Sequence, residues 1–183
     1  MNGLGTLKVF KFQEVMAAVH TYGNKFTFFY TNKSPFSQFY PAEFEVAGTK
    51  YVCAEQYMMH QKAKLFGDQE IAPQILIAEK PMQMKALGRK VKNFNETIWK
   101  ENRERIVQEG NLAKFSQNDH LKEALFQTKG TLLVEASPRD RIWGIGLGES
   151  NPKAMDPKQW RGQNLLGKIL TDVRETLMAE EEN

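Results

Sequence analysis

The chain has 183 residues, 41% hydrophobic and 26% charged, enough to fold around a real core and not the composition of a disordered chain. Its formal net charge of +3 carries no footprint of broad nucleic-acid binding, although a local basic pocket for a phosphate remains compatible with it. A single cysteine, Cys53, excludes an internal disulfide and a multi-thiolate metal site, and no stretch reaches the ~18–20 apolar residues of a membrane span.

Met1 to Asn24 reads as a leader with a short amphipathic patch at Val9–Val19. It lacks a basic region followed by an apolar run, so no secretory signal is expected and the expected setting is the cytoplasm. Residues 25–179 are expected to form one domain, and 180–183 a frayed acidic tail.

Phe26-Thr27-Phe28-Phe29-Tyr30 predicts a buried strand, and Thr31 to Pro41 a loop. Phe44 to Val52 predicts a hairpin turning at Gly48. The period then becomes helical, with helices expected at about 54–66, 68–77, 81–87, 95–114, 119–127 and 163–178. Thr131 to Glu135 predicts a second strand, and Ser137 to Trp160 a long Gly- and Pro-containing loop of the functional or mobile kind. Two separated strand regions around a helical run predict an α+β fold, predominantly helical with a small β-sheet.

The helix Ala54–Phe66 carries the informative pattern. Met58, Met59, Leu65 and Phe66 gather on one side, and Glu55 and Lys62 fall inside that stripe, while His60 and Lys64 fall on the solvent-like face. Charges in an apolar stripe are costly unless paired or lining a pocket. Seven residues separate Glu55 and Lys62 by about 10.5 Å along the axis, long for an ion pair and suited to two ends of a small ligand. The structural alternative is that each charge has its own partner elsewhere in the fold, or that Lys62 snorkels outward.

Several ordered segments resemble the NADAR family, also called YbiA-like. They are Phe28-Phe29-Tyr30; the loop Ser34 to Phe39; Gly48-Thr49-Lys50-Tyr51; Ala54-Glu55-Gln56-Tyr57 with Lys62; and Leu87-Gly88-Arg89 with Trp99. Leu112-Ala113-Lys114-Phe115, Leu125 to Thr128, Glu135 with Asp140, Ile142-Trp143-Gly144 and Gly162 to Gly167 complete the set. Gln38 stands where the family commonly has Asn, and Glu149 to Gln159 is a longer insertion.

The resemblance implies an N-glycosidase acting on ribosylamino-pyrimidine phosphates of riboflavin synthesis, or removing ADP-ribose from guanine, with no metal or redox cofactor. Its substrate is then a small ribosyl phosphate or ADP-ribosyl compound, or ADP-ribosylated nucleic acid, and no membrane is involved. Cleaving an N–C1′ bond builds positive charge on the sugar and negative charge on the leaving nitrogen, so an anion is needed beside C1′ and a proton donor near the base.

Glu55 is the expected carboxylate, Asp140 the second, and Lys62 either a cation for phosphate or, preferred, a Schiff-base nucleophile. The expected substrate contacts are Lys33 and Arg89 for phosphate, Trp143 for stacking, and Ser37, Phe39, Trp99, Gly144 and Asn164 from the matched motifs. Asn164 is equally placed to be a helix N-cap, and Asp140 to pair with Arg139 or Arg141.

The run Gly144-Ile145-Gly146-Leu147-Gly148 is no dinucleotide loop, because Asn151, Pro152 and Pro157 leave no helix after it. His20, His60 and His120 share no motif with Cys53, which excludes a zinc or Cys–His reading; Cys53 is expected to be buried packing. The rival function is a non-catalytic module binding ADP-ribose or NAD, and a further one is a scaffold held by internal ion pairs.

Overall fold

The computed structural model describes His20–Tyr22, for which only the backbone is considered, and residues 25–182. The amphipathic patch expected at Val9–Val19 lies outside the described residues. The fold is α+β, and its residues cluster into two compact units.

The first unit comprises residues up to Ser37 together with Asn118 onward. Its sheet has the order β1 (His20–Tyr22), β2 (Phe26–Phe29), β5 (Leu132–Glu135), with β1 antiparallel and β5 parallel to β2. The expected leader therefore ends in a strand. All four residues of β2 are buried, as a central strand covered on both faces requires. Helices α5 (Asp119–Phe126) and α6 (Leu165–Glu181) complete this unit, and α6 packs on β5.

The Ser137–Trp160 loop is not a loose excursion. Ile145, Leu147 and Ala154 share a core cluster with Phe26, Phe28, Val134 and Ala136, and the Trp160 indole donates to the Ala154 carbonyl at 2.8 Å. Two short 3-10 turns, Pro152–Met155 and Pro157–Gln159, give the insertion its shape. The tail expectation is also corrected: α6 continues to Glu181, whose carboxylate pairs with Lys122 at 2.5 Å.

The second unit runs from Gln38 to Gln117. It opens with the hairpin β3 (Phe44–Val46) and β4 (Thr49–Tyr51), turning through Ala47 at φ +48° and Gly48 at φ +76°, the left-handed pair of a tight hairpin. Helices α1 (Ala54–Leu65), α2 (Ile71–Ile77), α3 (Pro81–Gly88) and α4 (Glu96–Ser116) follow. α2 starts three residues later than its periodicity predicts, because the Asp68 carboxylate accepts the backbone N–H groups of Glu70, Ile71 and Lys92. These bonds hold Asp68 below the usual carboxylate range. α4 is started by Asn95, whose side chain accepts from Thr97 and Ile98.

α1 packs against α2, α3 and α4. Ala54 to His60 are consequently buried on every side, and the expected two-faced amphipathic helix does not hold over its first two turns. His60 is corrected accordingly. It is 7% exposed, its Nδ1 lies 2.9 Å from the Tyr51 hydroxyl, and desolvation holds its pKa down. Among the described residues no helix is long and apolar enough to cross a membrane.

Candidate active site

Glu55 lies in the first turn of α1 and is 2% exposed. Its backbone N–H donates to the Gln38 carbonyl at 2.9 Å, which ties the start of α1 to the loop before β3. The Gln38 side chain accepts from Asn111 Nδ2 at 2.9 Å. Asn111 lies on α4, three residues before Lys114 and thus on one face with it.

Lys114 is fully buried, and desolvation pushes its amine down to about 7. Nζ stands 4.9 Å from the Phe115 ring centroid and 5.7 Å from that of Tyr40. Cys53 reports on both charged neighbours. Burial raises its thiol pKa, the Glu55 charge raises it further, and the Lys114 charge opposes. Cys53 and Glu55 at the start of α1 and Asn111 and Lys114 on α4 are buried, the two helices pack together, and the half-buried Gln38 is hydrogen-bonded to both, so these residues form one polar cluster. Cys53 is buried packing as expected, with Sγ 3.6 Å from Met84 Sδ.

Lys62 belongs to the other end of α1 and does not share this cluster's contacts. Its Nζ donates to the Gly88 carbonyl at 2.8 Å and stands 4.3 Å from the Phe94 ring centroid and 5.6 Å from that of Trp99. Burial lowers its pKa, the Glu96 charge raises it, and Arg89 lowers it again. A carbonyl acceptor and two aromatic faces suit an ammonium rather than a neutral amine. Arg89 is exposed at the end of α3, beside this box. Trp99 is half-buried and packs on the cluster of Phe44, Tyr51, Tyr57 and Ile106. Phe39 is half-buried with Lys85 Nζ 5.7 Å from its ring centroid.

The remaining expected residues belong to the first unit. Lys33 is exposed, and its N–H reaches Thr31 Oγ1 at 3.4 Å. Ser37 is half-buried and closes a turn on the Ser34 carbonyl. Asp140 Oδ1 accepts from Ile142 N and Trp143 N at 2.9 and 2.8 Å, so this oxygen shapes the turn that presents the half-buried Trp143. Neither Arg139 nor Arg141 forms an ion pair with it among the described residues.

Gly144 is buried, and a Cβ there would stand 2.8 Å from the Glu135 carbonyl. Asn164 has φ +53° and is 0% exposed, with Oδ1 accepting from Glu135 N and Nδ2 donating to the Leu133 carbonyl. Its amide is committed to β5 rather than to a helix cap, and no side-chain cap bond is made.

Lys114, Asn111 and Gln38 had no role assigned from sequence. The signal was present: Ile106, Val107, Gly110, Lys114 and Phe115 are all buried positions at helical spacing, so Lys114 interrupts an apolar stripe as Glu55 does.

The chain matches the NADAR domain model over residues 27–178. It is 45% identical over 163 residues to N-glycosidase R617 of Acanthamoeba polyphaga mimivirus, covering 83% of this chain and 96% of that protein. It is 33% identical over 141 residues to riboflavin biosynthesis protein VVA0006 of Vibrio vulnificus, covering 77% of this chain and 35% of that protein. The solved structure of the Escherichia coli protein YbiA superposes with a TM-score of 0.74 at 25% identity, covering 93% of this chain and 95% of that one. These likenesses define an enzyme, a hydrolase of N-glycosyl bonds. The chain belongs to the NADAR domain family.

Proposed function

We propose that the chain cleaves the N–C1′ bond between a base-like group and a phosphorylated ribose in the cytoplasm, with Lys114 and Glu55 as the reacting groups. The carrying observation is Lys114: a fully buried amine whose desolvation lowers its pKa to about 7, on a helix packed against the one that carries the buried Glu55. The Schiff-base role expected of Lys62 passes to Lys114, and Lys62 with Arg89 keeps the phosphate role.

In this reading the Lys114 amine bonds to C1′ as the C1′–N bond breaks. The leaving nitrogen takes that electron pair, and Glu55 relays to it the proton that the amine releases. Glu55 also faces the positive charge that builds on C1′ and the ring oxygen. Ring opening leaves an imine between Nζ and C1′, which water hydrolyses to free sugar phosphate and restored amine.

The natural substrate is proposed to be a ribosylamino-pyrimidine phosphate, a reading supported by the riboflavin name of one relative. ADP-ribosyl guanine is the second candidate. Incubation with a ribosylamino-pyrimidine phosphate, an ADP-ribosylated guanine oligonucleotide and NAD tests this. Release of free base with free sugar phosphate or ADP-ribose is the expected result. Saturable binding of any of them with no release overturns catalysis in favour of a binding module.

A further inference from the structure

Asn111 presents an unusual account of its hydrogen bonds. Its Nδ2 donates both to Gln38 Oε1 at 2.9 Å and to the Val107 carbonyl at 2.8 Å. Both amide hydrogens are thereby used, and the Val107 carbonyl fixes the orientation of the group: exchanging nitrogen and oxygen would set Oδ1 against a carbonyl that can only accept. Oδ1 has no hydrogen-bond partner among the described residues, although Asn111 is 0% exposed.

An orphan acceptor with no solvent is destabilising, and Leu would fill the same space without that cost. It sits one turn from Lys114, and the residue holding its nitrogen is the one whose carbonyl fixes Glu55. The half-buried Gln38 to Tyr40 borders the cluster.

We propose that Asn111 is a substrate-binding residue whose Oδ1 accepts a hydrogen bond from a ribose hydroxyl, with Gln38 as the positioning residue that holds its amide in that orientation. This rests on the reading of Lys114 and Glu55 as the sugar site. A hydroxyl is the fitting donor, since it satisfies the acceptor without bringing a second cation beside Lys114. The Gln38 side chain is long enough to span from its loop to α4.

The test is calorimetric titration of ribose 5-phosphate into the wild-type chain, Asn111→Leu, and the double variant Gln38→Leu/Asn111→Leu. The double variant removes both ends of the Gln38–Asn111 bond, and so keeps the comparison open where the single change fails to fold. The expected result is about tenfold weaker binding in each variant, the worth of one hydrogen bond to a neutral group, with the thermal midpoint unchanged or raised.

Equal affinity in the wild type and either folded variant overturns the proposal, as does absence of ribose 5-phosphate binding to the wild type. The comparison reads binding alone. Failure of base release in the substrate panel, with this affinity difference intact, would sink the catalytic reading and not this one.

Discussion

The N–H of Glu55 donates to the carbonyl of Gln38 at 2.9 Å, so the residue offering the carboxylate is fixed by its own backbone to a loop seventeen positions earlier. That bond is independent of the side chain. Glu55→Gln therefore keeps the anchor and removes only the charge. Base release is expected to fall by about 10²–10⁴-fold, the range for loss of a positioned acid–base group. Far-ultraviolet circular dichroism and the thermal midpoint are expected to stay close to wild type; a variant that retains full activity removes Glu55 from the mechanism.

Two lysines, the half-buried Lys62 and the fully buried Lys114, compete for the nucleophile role, and covalent trapping separates them. Borohydride added during turnover is expected to fix the sugar phosphate on Lys114, located by peptide mass spectrometry. Lys62→Met should still form the adduct, with a raised KM. Lys114→Met should form none. An adduct on Lys62 would return the role to the residue that the α1 pattern favours.

Lys114 also predicts how stability follows pH. Its amine is held near 7 when folded and titrates near 10.4 when unfolded. Between those values the unfolded chain binds more protons, so this group makes unfolding harder as pH rises. Its destabilising effect is fully present below about 7 and gone above about 10.4. Denaturant unfolding of Lys114→Met against wild type is expected to show the variant more stable at pH 6, with the gap closing by up to about 1.4 kcal/mol per pH unit above 7. A gap that does not change with pH would mean that Lys114 keeps its charge.

Asn164 and Asp140 carry a stability prediction. Asn164→Ala leaves Glu135 N and the Leu133 carbonyl without their partner inside a buried contact and puts Ala at φ +53°. A loss of about 2–4 kcal/mol is expected from two such bonds. Asp140→Ala loses two bonds in a partly exposed turn and should cost less, about 1–2 kcal/mol. Urea midpoints of both variants check the order, and a neutral Asn164→Ala would contradict the clamp.

The elements themselves were largely legible. β2, the Gly48 hairpin and the six helices announce themselves by period, turn residues and caps, because those signals act within a few residues of chain. Helix ends were less so: the start of α2 is delayed by Asp68, whose third backbone donor, Lys92, is 24 residues away. Glu55 was legible as a charge where an apolar residue was due. Lys114 carries the same signal, a charge at a position where the spacing of α4 calls for an apolar residue.

Sequence alone settled the type of β2, the hairpin, β5 and the helices, and that Glu55 sits out of place in an apolar pattern, since both follow from local spacing. Tertiary structure decided which residues surround the start of that helix. A helix wheel compares residues on one axis, and so joined Glu55 to Lys62; packing α1 against α4 links it through Cys53 and Gln38 to Lys114 and Asn111, more than fifty residues on. The same packing buried His60, because over its first two turns a helix enclosed by three others has no wet side to offer.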